Sequence, residues 1–325
     1  MSFPLRLACL LAVVPIAGAW AGDPEKTPHH RHFEFAYNGE ITGLAGGAMA
    51  RVWLPVPPSN AEQTVRVVAK HLPAEGVINR EPEYGNQILS FEARADENGR
   101  IGFGIVYDVN RKEVLFPAQK PADPDEDVNR YLRPDSRVPV GGKSLRLVEN
   151  LAIPDDTVAA ARVLYDAVNH HMRYLKKGTG WGRGDADWAC ESGYGNCSDF
   201  HSVFMALARS RKIPAKFEIG FPLPAERGAG VIPGYHCWAK FRSLDRGWIS
   251  VDISEANKNP KLVDYYFGNL TENRIAFSTG RDLELVPRQS GPRLNFLVYP
   301  YAEVQGKALT SDSIRCHFSY RDLAD

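Results

Sequence analysis

Cysteine is scarce in this chain: there are five in 325 residues, and Cys9 lies inside an N-terminal apolar run. The other four, Cys190, Cys197, Cys237 and Cys316, are too few for a disulfide scaffold. Neither C-x-x-C nor H-x-x-x-H spacing occurs, so a zinc site from Cys190, Cys197, His201 and Cys237 has the residue types without the signature. No metal and no other cofactor is expected. Neither sign of charge dominates, with 39 acidic residues against 39 basic ones. That balance gives no electrostatic case for nucleic acid or for an acidic membrane surface. No apolar run is long enough to suggest a membrane span, and repeats and low-complexity tracts are lacking. What remains is a globular protein with a few thiols.

Residues 1–21 stand apart. Arg6, the apolar run from Leu7 to Trp20, and Ala19-Trp20-Ala21 before Gly22 read as a secretory signal peptide with an A-x-A cleavage site. Cys9 lies within that run rather than after it, which argues against a lipid anchor. The chain is therefore expected to be exported, periplasmic or extracellular, after cleavage near Ala21.

His29, His30 and His32 read as a solvated tail rather than a metal cluster. From Phe33 the pattern alternates. Ala48 to Leu54, Thr64 to Ala69, Gln87 to Ala93 and Ile101 to Val109 are strand candidates bounded by turn residues. Short strands without a helix among them predict a β-sandwich over residues 30–115. Residues 116–150, with Pro117, Pro121, Pro124, Pro134 and Pro139, read as a linker. Its acidic cluster Asp123, Asp125, Glu126 and Asp127 lacks the pattern of an EF-hand loop and reads as solvated surface. A second domain is expected over residues 151–325. It opens with a helix from Pro154-Asp155-Asp156-Thr157 to about Tyr174, followed by a glycine-rich loop from Gly178 to Asp187. Strand candidates after Tyr265 would extend its sheet or return to brace the sandwich.

The stretch Tyr194-Gly195-Asn196-Cys197-Ser198-Asp199-Phe200 runs from a turn into a helix. Asn196 is placed to cap it and Asp199 to complete a reciprocal cap. Phe200, Val203, Phe204 and Leu207 mark the buried face, which Cys197 begins. A thiol at the first turn of a helix has its thiolate favoured by the dipole, and the thiolate is the nucleophile. Downstream, Ala215 to Phe221, His236 to Arg242 and Trp248 to Ile253 read as strands, with Leu244-Asp245-Arg246-Gly247 as a hairpin turn. A turn centred near Leu244 sets His236 opposite Asp252, close enough for the carboxylate to orient the imidazole. His201, one helical turn after Cys197, is a rival base without an evident carboxylate partner.

Y-G-x-C-x-x-F, the helix end R-x-x-x-I-P-A, G-Y-H-C-W-A and G-W-I-S-V-D together resemble the core of the transglutaminase-like superfamily, best over Asp155 to Asn259. The flanks look like those of bacterial secreted members, at Tyr266-Phe267-Gly268 and Gly280-Arg281-Asp282. The resemblance implies an α+β fold, an N-terminal β-sandwich followed by a papain-like core. It also implies a triad of Cys197 as nucleophile, His236 as base and Asp252 as orienting acid. Trp181, Trp188 and Tyr194 become candidates for the oxyanion site or the cleft wall. Cys237 departs from the small apolar residue usual beside the histidine. The implied activity is acyl transfer from peptide or glutamine-type amides through a Cys197 thioester, hydrolytic as in a cysteine peptidase or amidase. A crosslinking transamidase and a non-catalytic binding scaffold are the alternatives. The expected partner is a protein or peptide substrate, cell-wall peptides included.

Overall fold

The computed structural model describes residues 27–117 and 127–324. The expected signal peptide lies outside these residues, as do Asp123, Asp125 and Glu126 of the acidic cluster. Alternation of buried and open positions along β1 (His30–Ile41) buries Phe33, Phe35, Tyr37 and Ile41, as a half-buried strand requires. It sits between β6 (Ile101–Lys112) and β17 (Ile314–Asp322), with β3 (Gln63–His71) and β10 (Ala229–Ile232) at the edges of a five-stranded sheet. A second sheet orders β16 (Lys307–Ala308), β15 (Tyr301–Val304), β2 (Met49–Val56), β5 (Gln87–Arg94) and β4 (Val77–Arg80). Phe91 and Phe103 meet between the two sheets, ring centroids 6.2 Å apart.

The third sheet orders β13 (Phe267–Gly268), β12 (Gly247–Val251), β11 (His236–Ser243), β9 (Ala215–Pro222) and β14 (Arg274–Thr279). Four helices accompany it: α1 (Thr157–His171), α2 (Ala186–Ser192), α3 (Cys197–Ser210) and α4 (Ile253–Lys258). A short parallel pair, β7 (Arg173–Tyr174) and β8 (Tyr194–Gly195), leads the chain into α3. The whole is an α+β fold with a transglutaminase-like core, as the sequence implied.

The chain's last strands do not enlarge the core sheet. β15 pairs with β2 and carries β16 at its outer edge, β17 pairs with β1, and β10 adds to β17. Residues 151–325 therefore share both outer sheets with residues 30–115. A common aromatic seam joins them: Phe35 and Tyr37 of β1 lie 5.2 and 6.2 Å from Phe221 of β9, and Phe318 of β17 lies 4.4 Å from that same ring. Aromatic pairs of this kind contribute about 1 kcal/mol each beyond the area they bury. The histidines expected in a solvated tail are ordered instead, because β1 begins at His30. His32 Nε2 lies 2.9 Å from Asp108, and His29 Nδ1 lies 3.5 Å from Glu113. The described part of the linker is also tied down, since Arg209 of α3 donates to Tyr131 O and Asp135.

Polar groups bridge the sandwich and the core sheet. Gln63 trades two hydrogen bonds with the backbone of Ala276 on β14. Lys240 on β11 pairs with Glu62 beside β3 and lies 3.3 Å from Glu218 on β9, while Arg111 binds Glu62 at 3.2 Å. Removing one member of a buried ion cluster leaves its partners desolvated and unmatched. The Lys240→Met variant is thus expected to lose about 3 kcal/mol of stability in chemical denaturation. An unchanged denaturation midpoint would show that the cluster holds nothing together.

Candidate active site

The cap anticipated at Asn196 is present. Its side chain accepts the Ser198 N–H at 2.9 Å, and Asp199 Oδ2 accepts the Asn196 N–H at 2.9 Å. This fixes Cys197 as the first helical residue of α3, where backbone N–H groups have no partner within the helix. Asp199 does more than cap. It also accepts the N–H groups of Gly182 (2.7 Å) and Gly184 (2.9 Å), pinning the glycine-rich loop against the helix start. Burial pushes its carboxyl up to about 6 despite these donors. Arg281 clamps the same loop from behind, donating to Ser202 Oγ and Arg183 O. Gly184 has φ +60°, and an added Cβ would lie 2.8 Å from Arg281, so the clamp needs glycine there.

Cys197, His236 and Asp252 come together, 2%, 4% and 0% exposed. The route differs from the expected register. Gly247 takes φ +74° and the hairpin loop is Leu244-Asp245-Arg246, which pairs Arg242 with Trp248 and Ala239 with Val251. Asp252 is therefore not the cross-strand partner of His236. The strand stops at Val251, and Asp252 turns to cap α4, accepting the Glu255 N–H at 3.2 Å. Its other oxygen receives His236 Nε2 at 2.7 Å. Nδ1 of the ring is not engaged by Asp252, and the imidazole acts electrostatically on the Cys197 thiol.

Electrostatics follow from this geometry. Burial disfavours a charged imidazole, but Asp252 and the Cys197 thiolate outweigh it and raise His236 to about 10. Burial likewise opposes the thiolate, yet the Cys237 and His236 hydrogen bonds and the nearby imidazoles hold Cys197 well below the usual thiol range. Asp252 is kept below the usual carboxylate range against its burial, by His236, Arg274 and His201.

His201 has another task. Its Nε2 accepts the Ile253 N–H at 3.1 Å, and its Nδ1 lies 3.7 Å from Cys237 Sγ. Burial lowers its pKa, so a neutral ring braces the head of α4, the turn that carries Asp252. Trp188 and Tyr194 stack edge-on, 5.5 Å apart, beside the glycine loop, and Trp181 lies 5.9 Å from the Lys176 ammonium. Two phenols overlooked in the sequence border the start of α3. Tyr235 has its hydroxyl 3.0 Å from both Ser198 Oγ and Asn196 Nδ2. Tyr174, at the end of β7, is shifted upward by burial and then by Cys197. Helix α2 was also overlooked, though Asp185 caps it and Gly193 closes it in the left-handed region. Among the described residues no group of three or more His, Cys, Asp or Glu is arranged to hold a metal.

Comparison with known proteins agrees with this architecture. Residues 146–253 match the family model of the transglutaminase-like superfamily, and that segment is a transglutaminase-like domain. An uncharacterized protein of Haemophilus influenzae is 24% identical, with 94% of this chain and 95% of that one covered. A candidate cysteine protease from Cytophaga hutchinsonii has the same fold, with TM-score 0.60 and 16% identity over 92% of this chain and 94% of that one. The periplasmic domain of TgpA from Pseudomonas aeruginosa superposes less well, with TM-score 0.38 and 17% identity over 75% of this chain and 77% of that one.

The thiols should separate by reactivity. Cys190, Cys237 and Cys316 are all pushed up by burial, Cys316 to about 11, while Cys197 is held down. In mildly acidic buffer, iodoacetamide is expected to label Cys197 alone, as read by peptide mapping, because only its thiolate persists there. Equal labelling of Cys197 and Cys316 would contradict the geometry.

Proposed function

We propose that the chain is an exported thiol-dependent acyl-transfer enzyme, with Cys197 as nucleophile, His236 as proton carrier and Asp252 as the acid that orients it. The observation that carries the reading is the 2.7 Å bond from His236 Nε2 to Asp252, in a buried site shared with a thiol at a helix start. The carboxylate fixes the tautomer and steadies the imidazolium. The Cys197 thiolate attacks an amide carbonyl carbon, and the oxygen takes up the negative charge. The Cys197 N–H is one donor for that oxygen, and the wall of Trp181, Trp188 and Tyr194 flanks it. His236 gives its proton to the leaving amine as the C–N bond breaks, leaving an acyl thioester on Cys197. Water then resolves the thioester: His236 takes one of its protons, hydroxide adds to the carbonyl, and the thiolate departs.

Superfamily membership supports a cysteine enzyme in general. The substrate class proposed is a peptide or glutamine-type amide, and the site of action is the periplasm or extracellular space after cleavage near Ala21. The further choice is hydrolysis. Among the described residues no helix is long and apolar enough to cross a membrane.

Turnover of a peptide and glutamine-donor panel, with and without a primary amine, tests the reading. Cys197→Ala is expected to lose about a thousandfold or more in rate, and Asp252→Asn about a hundredfold or more. Equal turnover by Cys197→Ala would remove the nucleophile assignment. Amine incorporation outpacing hydrolysis would replace hydrolase by transamidase. No turnover of any member by the wild type would favour a binding scaffold.

A further inference from the structure

Asp252 Oδ2 takes a second donor besides His236. Arg274 Nη1 reaches it at 3.1 Å from the first residue of β14, an edge strand of the core sheet. The guanidinium is 3% exposed and lies over the Trp238 indole, 4.9 Å from its centroid. Trp238 is itself fixed, since its Nε1 donates to Glu218 at 2.7 Å. Arg274 is therefore held from two sides, by the carboxylate and by the indole.

Charge accounts for its presence. With the thiolate and imidazolium formed, Cys197, His236 and Asp252 together carry one net negative charge in a buried space. An unmatched buried charge is strongly unfavourable. The titratable groups around the cluster are His201 on α3, Glu255 on α4, Cys237 on β11, Tyr165 on α1, Tyr174 on β7, Tyr235 beside β11, and Tyr299. Facing Arg274 itself are Asp252, Arg111 from β6, and Tyr265 and Tyr266 ahead of β13. His201 accepts a backbone N–H and its burial disfavours the charged ring, so Arg274 is the cation in contact with Asp252 whose charge does not depend on pH in the working range.

We propose that Arg274 is a positioning residue that balances the buried charge of the triad and sets the pH range in which the Cys197–His236 pair is ionised. This role rests on the triad reading above. The sign follows from coupled titration. Loss of the thiol proton, and then of the imidazolium proton, each makes the cluster more negative. Deleting a fixed positive charge beside it must raise both midpoints.

The test is the pH dependence of Cys197 alkylation by iodoacetamide in the full chain, located by peptide mapping. Arg274→Met is expected to raise the thiol midpoint by about one pH unit. Arg274→Lys retains the charge and should restore a midpoint near that of the wild type. Where Arg274→Met does not fold, Asp252→Asn is compared with the double variant Asp252→Asn/Arg274→Met, which leaves no carboxylate unpaired. The double variant should have the higher midpoint. An unshifted midpoint in either comparison, with only the rate reduced, reduces Arg274 to a packing residue and overturns the inference alone. A wild-type Cys197 with the midpoint of an ordinary thiol overturns the triad reading and this inference with it.

Discussion

A buried thiolate is tolerable only beside a positive charge, and the charge proposed for Cys197 is the His236 imidazolium, which depends in turn on Asp252. The surrounding structure is arranged around that dependence. Asp252 is fully buried, and each of its oxygens accepts two donors: Ser254 and Glu255 on one, His236 and Arg274 on the other. Satisfying every lone pair is what allows a carboxylate to stay charged out of water. The helix start beneath Cys197 contributes in the same sense, since its unpaired N–H groups favour negative charge.

Placing these groups takes most of the fold. Cys197 comes from a helix start, His236 from the first residue of a central strand, and Asp252 from a strand end that bends into a helix cap. Asp199 and Arg281 then fasten the glycine loop against the start of α3. The sandwich is part of the same construction, because the aromatic seam and the Glu62–Lys240–Glu218 cluster bind the sheet that carries His236 to strands from both ends of the chain. A network of this kind makes the geometry of the site depend on the docking of the outer sheets.

Local signals were readable in the sequence. The cap of α3 depends on residues within one turn, and the buried face of that helix on a short period, so Asn196, Asp199 and Cys197 were placed correctly in advance. Strands β1, β2, β3, β5 and β6 were legible for the same reason, while the short β4 was not. What escaped depended on long-range choices or on backbone conformation. The turn centres on Asp245 rather than Leu244 and is closed by the left-handed Gly247, which took Asp252 out of the cross-strand pair with His236, although the two side chains still meet. Helix α2 is too short to show a period, and only its caps betray it. Arg274 reaches Asp252 across β9 and β11, which separate β14 from β12 in the sheet, and no spacing encodes that. The pairing of β17 with β1 joins segments from opposite ends of the chain, which hid the sharing of the outer sheets.

The central claim is that Cys197 is a thiolate at neutral pH because His236 is protonated beside it. Thiolate absorbance in the ultraviolet measures this directly, as the difference between wild type and Cys197→Ser. The expected result is a clear thiolate signal at neutral pH, lost when His236 is replaced by Gln in a protein that remains folded. A wild type with no such signal, or a signal that survives the loss of the imidazole, would contradict the account.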